Sequence, residues 1–119
     1  MFSRANLFNI PLQPTVAHDG QGEILTARVS DSNAVQSACN FIDYTEMPPG
    51  TAIGVHTHRN TEEEYYLVLS GAGQMRCGGE TFEVSAGDLI RNPAGGEHGL
   101  VNTGDEPLRL FVFEVGVVT

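Results

Sequence analysis

GTAIGVHTHRNTEEEYYLVLSG, residues Gly50–Gly71, is the stretch on which the reading of this chain turns. His56 and His58 stand two apart, so on an extended backbone both imidazoles leave the same face of a strand. The segment Glu64–Ser70, dense in Tyr, Leu and Val, reads as a second strand, and a carboxylate at its start would point into the same space. Further on, His98 lies in GDLIRNPAGGEHGLVN, a turn-rich approach to another strand. Three neutral imidazoles and one carboxylate suit a divalent first-row metal that keeps open coordination positions.

These residues resemble the two signature motifs of the cupin superfamily, and the small single-domain members in particular. The first motif runs Gly, five residues, His, one, His, three or four, Glu, six, Gly, and is matched here by Gly50, His56, His58, Glu64 and Gly71. The second is met in full by Gly87, Pro93, Gly95, His98 and Asn102. One departure is the five residues between His58 and Glu64. Glu63 would fit the histidine spacing, whereas Glu64 keeps the spacing to Gly71. Glu64 is preferred because a loop absorbs an insertion, while a slip of one within a strand turns every side chain over. The resemblance implies a metal held by His56, His58, Glu64 and His98, with Glu63 as the alternative to Glu64. It also implies a homodimer built through N-terminal strands, a small-molecule ligand or substrate in the barrel, and chemistry of dioxygenase or isomerase type.

The rest of the chain supports an all-β architecture, a double-stranded β-helix or jelly-roll barrel of antiparallel strands with little helix. Strand-like runs recur at Glu23–Ser30, Gln36–Met47, Ala52–His58, Glu64–Ser70 and Leu108–Val118, with turn signals between them. GQMRCGGETFEVS reads as a hairpin, Gly78-Gly79 supplying the positive φ angles of its turn. In the run from Gln36, Ala38, Asn40, Ile42 and Tyr44 alternate with Cys39, Phe41, Asp43 and Thr45, and neither set is cleanly polar. Such a strand is covered on both faces. Residues 1–22, with Pro11, Pro14, Gly20 and Gly22, form an expected N-terminal arm, and 23–119 a single barrel. Asn102 opens the turn NTGDEP and is expected to bond backbone there.

Composition narrows function. The 119 residues make one core and exclude the tandem-barrel cupins. Six basic residues stand against 15 acidic ones, net −9, and every basic residue is arginine. A nucleic-acid partner is disfavoured because phosphate neutralisation needs a basic surface. Without lysine there is no Schiff-base chemistry, and a phosphosugar substrate is disfavoured, although Arg28, Arg76 or Arg91 could still hold one. No apolar run resembles a signal segment or a membrane span, so a cytoplasmic protein is expected. Cys39 and Cys77 read as small buried thiols.

The metal identity, among Mn, Fe, Ni or Zn, stays open on ligand type alone. Four protein ligands on an octahedral ion leave two positions for substrate, which supports a metal-dependent enzyme acting on a small oxygenated molecule. The alternative is a binding or sensory module for a sugar-like ligand, without turnover. Tyr66, sharing the Glu64 face, and Arg76 are the candidate catalytic residues, and Met75 is a further cavity candidate. His18 reads as a loop histidine on the surface, with a role behind the metal ligands or against substrate as the alternative.

Overall fold

The period-two patterns become ten strands in two antiparallel sheets in the computed structural model, which describes residues 2–118. The strands are β1 (Gln13–Thr15), β2 (Ile24–Asp31), β3 (Cys39–Met47), β4 (Ala52–Thr57) and β5 (Glu62–Ser70), then β6 (Ala72–Cys77), β7 (Glu80–Ser85), β8 (Leu89–Asn92), β9 (Glu97–Val101) and β10 (Leu108–Gly116). A six-stranded sheet has the order β1-β2-β3-β10-β5-β8, and a four-stranded sheet the order β4-β9-β6-β7. β4 and β5, which follow one another in sequence, therefore lie in opposite sheets, as a jelly roll requires. The only helix among the described residues is a 3-10 turn at Leu7–Asn9, where the Asn6 side chain accepts from the Phe8 N–H at 2.9 Å. No helix among them is long and apolar enough to cross a membrane.

Alternation places the core. Leu108, Leu110 and Val112 of β10 join Ile24, Met47, Tyr66 and Val68 of the large sheet, and meet Ile53, Met75, Val84 and Leu100 from the small one. Burying each such side chain contributes about 1.5–3 kcal/mol, so this layer is what closes the two sheets on each other. β3 carries Phe41, Asp43 and Thr45 inward and Ile42, Tyr44 and Glu46 outward, where they pair with Phe113, Phe111 and Arg109 of β10. Tyr44 is nonetheless fully buried, with Phe8 of the N-terminal arm packed edge-on at 5.8 Å.

The β6–β7 hairpin turns at Gly78 and Gly79, with φ of 60° and 86° and Cys77 paired to Glu80. Other boundaries move. β3 begins at Cys39 instead of Gln36, and β5 begins at Glu62, so the polar connection from β4 is shorter than the residue types indicate. Part of the arm is also ordered into the sheet, because β1 pairs antiparallel with β2.

Asn102 ties the far end together. Its Nδ2 donates to the carbonyls of Met47 and Glu106, both at 2.8 Å, and its Oδ1 accepts from the Gly104 N–H at 2.9 Å. Asn102 is 1% exposed, so its removal leaves backbone carbonyls without partners. Asn102→Ala is expected to cost about 2–3 kcal/mol, read as a lower denaturant midpoint with an unchanged m-value.

Candidate metal centre

The site is assembled by backbone pairing. His56 of β4 lies directly across from His98 of β9, and a bulge between Ile53 and His56 adjusts the register so that both rings face the interior. His58 follows just past the end of β4, its N–H bonded to the Gly96 carbonyl at 3.0 Å. Glu64 arrives from the opposite sheet. Because β5 alternates, Glu62, Glu64 and Tyr66 point inward while Glu63 and Tyr65 point out. One ligand atom from each of His56, His58, Glu64 and His98 lies within 4.8 Å of all the others.

The shorter separations match those expected of atoms that could share one ion. His56 Nε2 is 3.1 Å from His58 Nε2, His98 Nε2 is 3.1 Å from Glu64 Oε1, and His58 Nε2 is 3.5 Å from that same oxygen. Ligands about 2.1 Å from a metal stand about 3.0 Å apart at right angles and about 3.4 Å apart at tetrahedral angles. The proton placement agrees. His56 Nδ1 is 2.7 Å from the Gly54 carbonyl, which can only accept, so Nδ1 carries the proton and Nε2 presents its lone pair to the centre. His98 is wholly buried with no partner at Nδ1. Its other nitrogen faces the cluster 3.1 Å from Glu64, and the ring stacks on His58 with centroids 4.6 Å apart, so Nε2 is aimed where a cation would sit. The residues thus fit a divalent metal.

Electrostatics around the centre are uneven. Burial keeps His56 uncharged and lowers its pKa to about 4. For Glu64 burial favours the acid form, but the hydrogen bond to His98 and the surrounding imidazoles outweigh it, holding the carboxyl below its usual range. Tyr66, deeply buried beside Glu64, has its phenol pushed well above the ordinary value and stays protonated. Glu114 of β10 is 3.6 Å from His58 Nδ1 through Oε2 and accepts from Asn40 Nδ2 at 2.9 Å through Oε1. Burial and the nearby Glu62 and Glu64 raise its pKa to about 7.

The centre opens into a cavity of about 620 Å³, also lined by Tyr66, Arg28, Asp43, Arg59, Glu62 and Glu114. Arg76 does not belong to it. Arg76 projects from the outer face of β6, about half exposed and 3.4 Å from Glu97, which corrects its place among the catalytic candidates. Met75, on the opposite side of that strand, is buried in the apolar core and is not part of the cavity wall. Glu63 is likewise displaced as an alternative ligand, since it accepts from Tyr65 Oη at 2.8 Å and Arg91 at 3.0 Å on the outside. Of the three arginines that could hold a phosphate, Arg28 alone lines the cavity, with its Nε 2.6 Å from Asp43. Both cysteines are free and half-buried. His18 is exposed at its rim yet stacks on His56, so it is more than a surface residue. Glu62 and Glu114 carried no spacing signal of their own, although the alternation through Leu110, Val112 and Glu114 would have turned Glu114 inward.

Residues 43–114 match the cupin domain family across both motif regions. The chain belongs to the cupin family. This cupin is 30% identical over 92 residues to an oxalate-binding protein of Thermotoga maritima, covering 77% of this chain and 75% of that one. It is 39% identical over 100 residues to an uncharacterized protein of Methanocaldococcus jannaschii, covering 84% and 77%. Among solved structures, that of a predicted oxalate decarboxylase from Thermotoga maritima superposes with a TM-score of 0.91 at 24% identity, covering 97% of this cupin and all of that chain.

The His56 environment makes a pH prediction for the metal-free cupin. Between about pH 4 and 6.5 the unfolded chain holds a proton on this ring that the folded chain does not, so stability falls as pH is lowered through that window. Glu114, raised to about 7, acts in the opposite sense, its contribution being lost as pH rises toward 7. The two are separated by a difference measurement. Denaturation midpoints of chelator-treated wild type and His56→Gln, compared from pH 4 to 7, should diverge, the variant gaining on wild type toward acid.

Proposed function

We propose that this cupin holds a divalent first-row metal (Mn, Fe, Ni or Zn) through His56, His58, Glu64 and His98, and through it binds a small dicarboxylate or 2-oxo acid, with oxalate as the type ligand. The observation that carries this reading is the convergence of four metal-type ligand atoms, three of them from residues that line a cavity of small-molecule size. Charge supplies the link to the ligand. The cavity wall carries the carboxylates of Asp43, Glu62, Glu64 and Glu114 against two guanidiniums, and Arg28 is engaged with Asp43. A dianion entering that space is repelled unless a divalent cation balances it. The relative named for oxalate binding supports the same ligand class.

Bound there, such a metal supplies Lewis-acid polarisation of ligand oxygens. The chain itself contributes the rest. Gly54 fixes the tautomer of His56, the Glu64 carboxylate stays ionised, and the protonated Tyr66 phenol closes the inner wall. A second reading, metal-dependent turnover, is favoured by Glu114. Its carboxyl sits in the cavity wall 3.6 Å from His58 Nδ1, and burial favours its acid form in the metal-free chain. Conversion of oxalate and a proton to formate and carbon dioxide is the reaction such an acid would serve.

Calorimetric titration of oxalate into manganese-loaded protein is the direct test. Saturable binding is expected, lost on chelation. Glu64→Gln should weaken metal binding by at least about tenfold, while Glu63→Gln stays within about twofold. Oxalate affinity unaffected by chelation would overturn the proposal. Release of formate by the loaded protein would favour the enzyme, and binding without release the sensory or binding module.

The outer face of the large sheet supports a homodimer. Ile42, Phe111, Phe113, Tyr65, Leu67 and Leu89 share it, Tyr65 stacks on Phe113 at 4.8 Å, and Leu89 is 61% exposed. A continuous apolar face of this kind is costly to leave in water. Light scattering should give twice the 12.8 kDa chain mass, and Leu89→Asp should shift the protein toward monomer without loss of fold.

A further inference from the structure

His18 sits on the loop between β1 and β2, outside both sequence motifs, and its ring lies on His56 with centroids 3.4 Å apart and planes 7° apart. The two rings are therefore almost directly face to face. Between neutral π systems this sandwich is the disfavoured arrangement, because the negative faces oppose each other. It turns attractive when one ring is electron-poor, as an imidazole becomes once its nitrogen lone pair is given to a cation.

The loop that delivers His18 is held firmly on the strand that carries the ligands. The Ala17 carbonyl accepts from both Gly20 N–H at 2.9 Å and Gly54 N–H at 3.0 Å, and the Gln21 carbonyl accepts from Ala52 N–H at 2.8 Å. A Cβ on Gly54 would overlap the His18 carbonyl, and one on Gly20 would overlap the backbone of β4. His18 and Asp19 both take left-handed backbone conformations, with φ of 50° and 56°, a conformation that persists only where the surroundings enforce it. His56 is thus clamped on two sides, at its Nδ1 by the Gly54 carbonyl and on its face by His18. Both clamps pass through residues 17–21 and 52–54.

We propose that His18 is a positioning residue for the metal ligand His56, and that its face-to-face stack couples the order of the residue 17–21 loop to metal loading. His18 is not itself a ligand, since it stands outside the group of convergent donor atoms. The coupling is reciprocal: whatever the metal adds to the stack, the stack adds to metal affinity. The proposal rests on the metal site proposed above for the same four residues.

The test uses the full chain, with manganese as the probe, and two variants. His18→Asn removes the ring while tolerating the left-handed backbone, and His18→Phe keeps an aromatic face. Manganese affinity by calorimetry should fall about five- to tenfold in His18→Asn and stay within about twofold of wild type in His18→Phe. Amide hydrogen exchange at Gly20 and Gly54 should slow on loading in wild type and not in His18→Asn. Equal manganese affinity in wild type and His18→Asn overturns the positioning role while leaving the metal site intact. Failure of wild type to bind manganese, cobalt or zinc overturns the metal site, and the coupling with it.

Discussion

Two sheets that share one interior can bring only every second residue of each strand into it, and this constraint arranges everything else in the molecule. At one end the shared space is filled by aliphatic and methionine side chains, which hold the sheets together. At the other end the same inward positions carry His56, Glu62, Glu64, His98 and Glu114. The apolar layer supplies the energy that keeps the polar end desolvated. Without Met75, Leu100, Leu108 and Leu110 behind it, the cluster of imidazoles and carboxylates would have no reason to stay assembled.

The polar end is a site of opposing electrostatic demands. Burial pushes His56 toward the neutral form and Glu114 toward the protonated form, while the imidazoles hold Glu64 ionised. Each of these states is the one that a bound cation requires or a nearby acid would use. An ion pair network without metal would instead favour charged histidines. The neutral His56 ring and the ionised Glu64 are the protonation states in which these side chains could serve as donors to a cation.

The N-terminal segment has two distinct attachments to this framework. Phe8 covers Tyr44 on the outer face of the large sheet, and residues 17–21 grip β4 at the rim of the cavity. Both exploit side chains or backbone that a bare barrel would leave exposed. The first extends the apolar outer face, and the second brings an imidazole onto His56, one of the four residues that could hold a metal. The arm thus contributes to the site even though its sequence has almost no strand period.

By itself the sequence determined the architecture and the ligand candidates. His56 and His58 at a spacing of two, the full second motif ending at Asn102, and the Gly78-Gly79 hairpin each depend on neighbours close in the chain, so local pattern is enough to read them. Register also followed from pattern, since Glu64 and Tyr66 alternate with Glu63 and Tyr65. What only tertiary structure decided are the contacts made across sheets and between distant segments. Glu114 beside His58, His18 on His56, and Arg76 turned to Glu97 on the outside have no spacing that signals them. Alternation tells which residues share a face, but which of two faces is inside, and what stands opposite, is set by how the strands fold over one another.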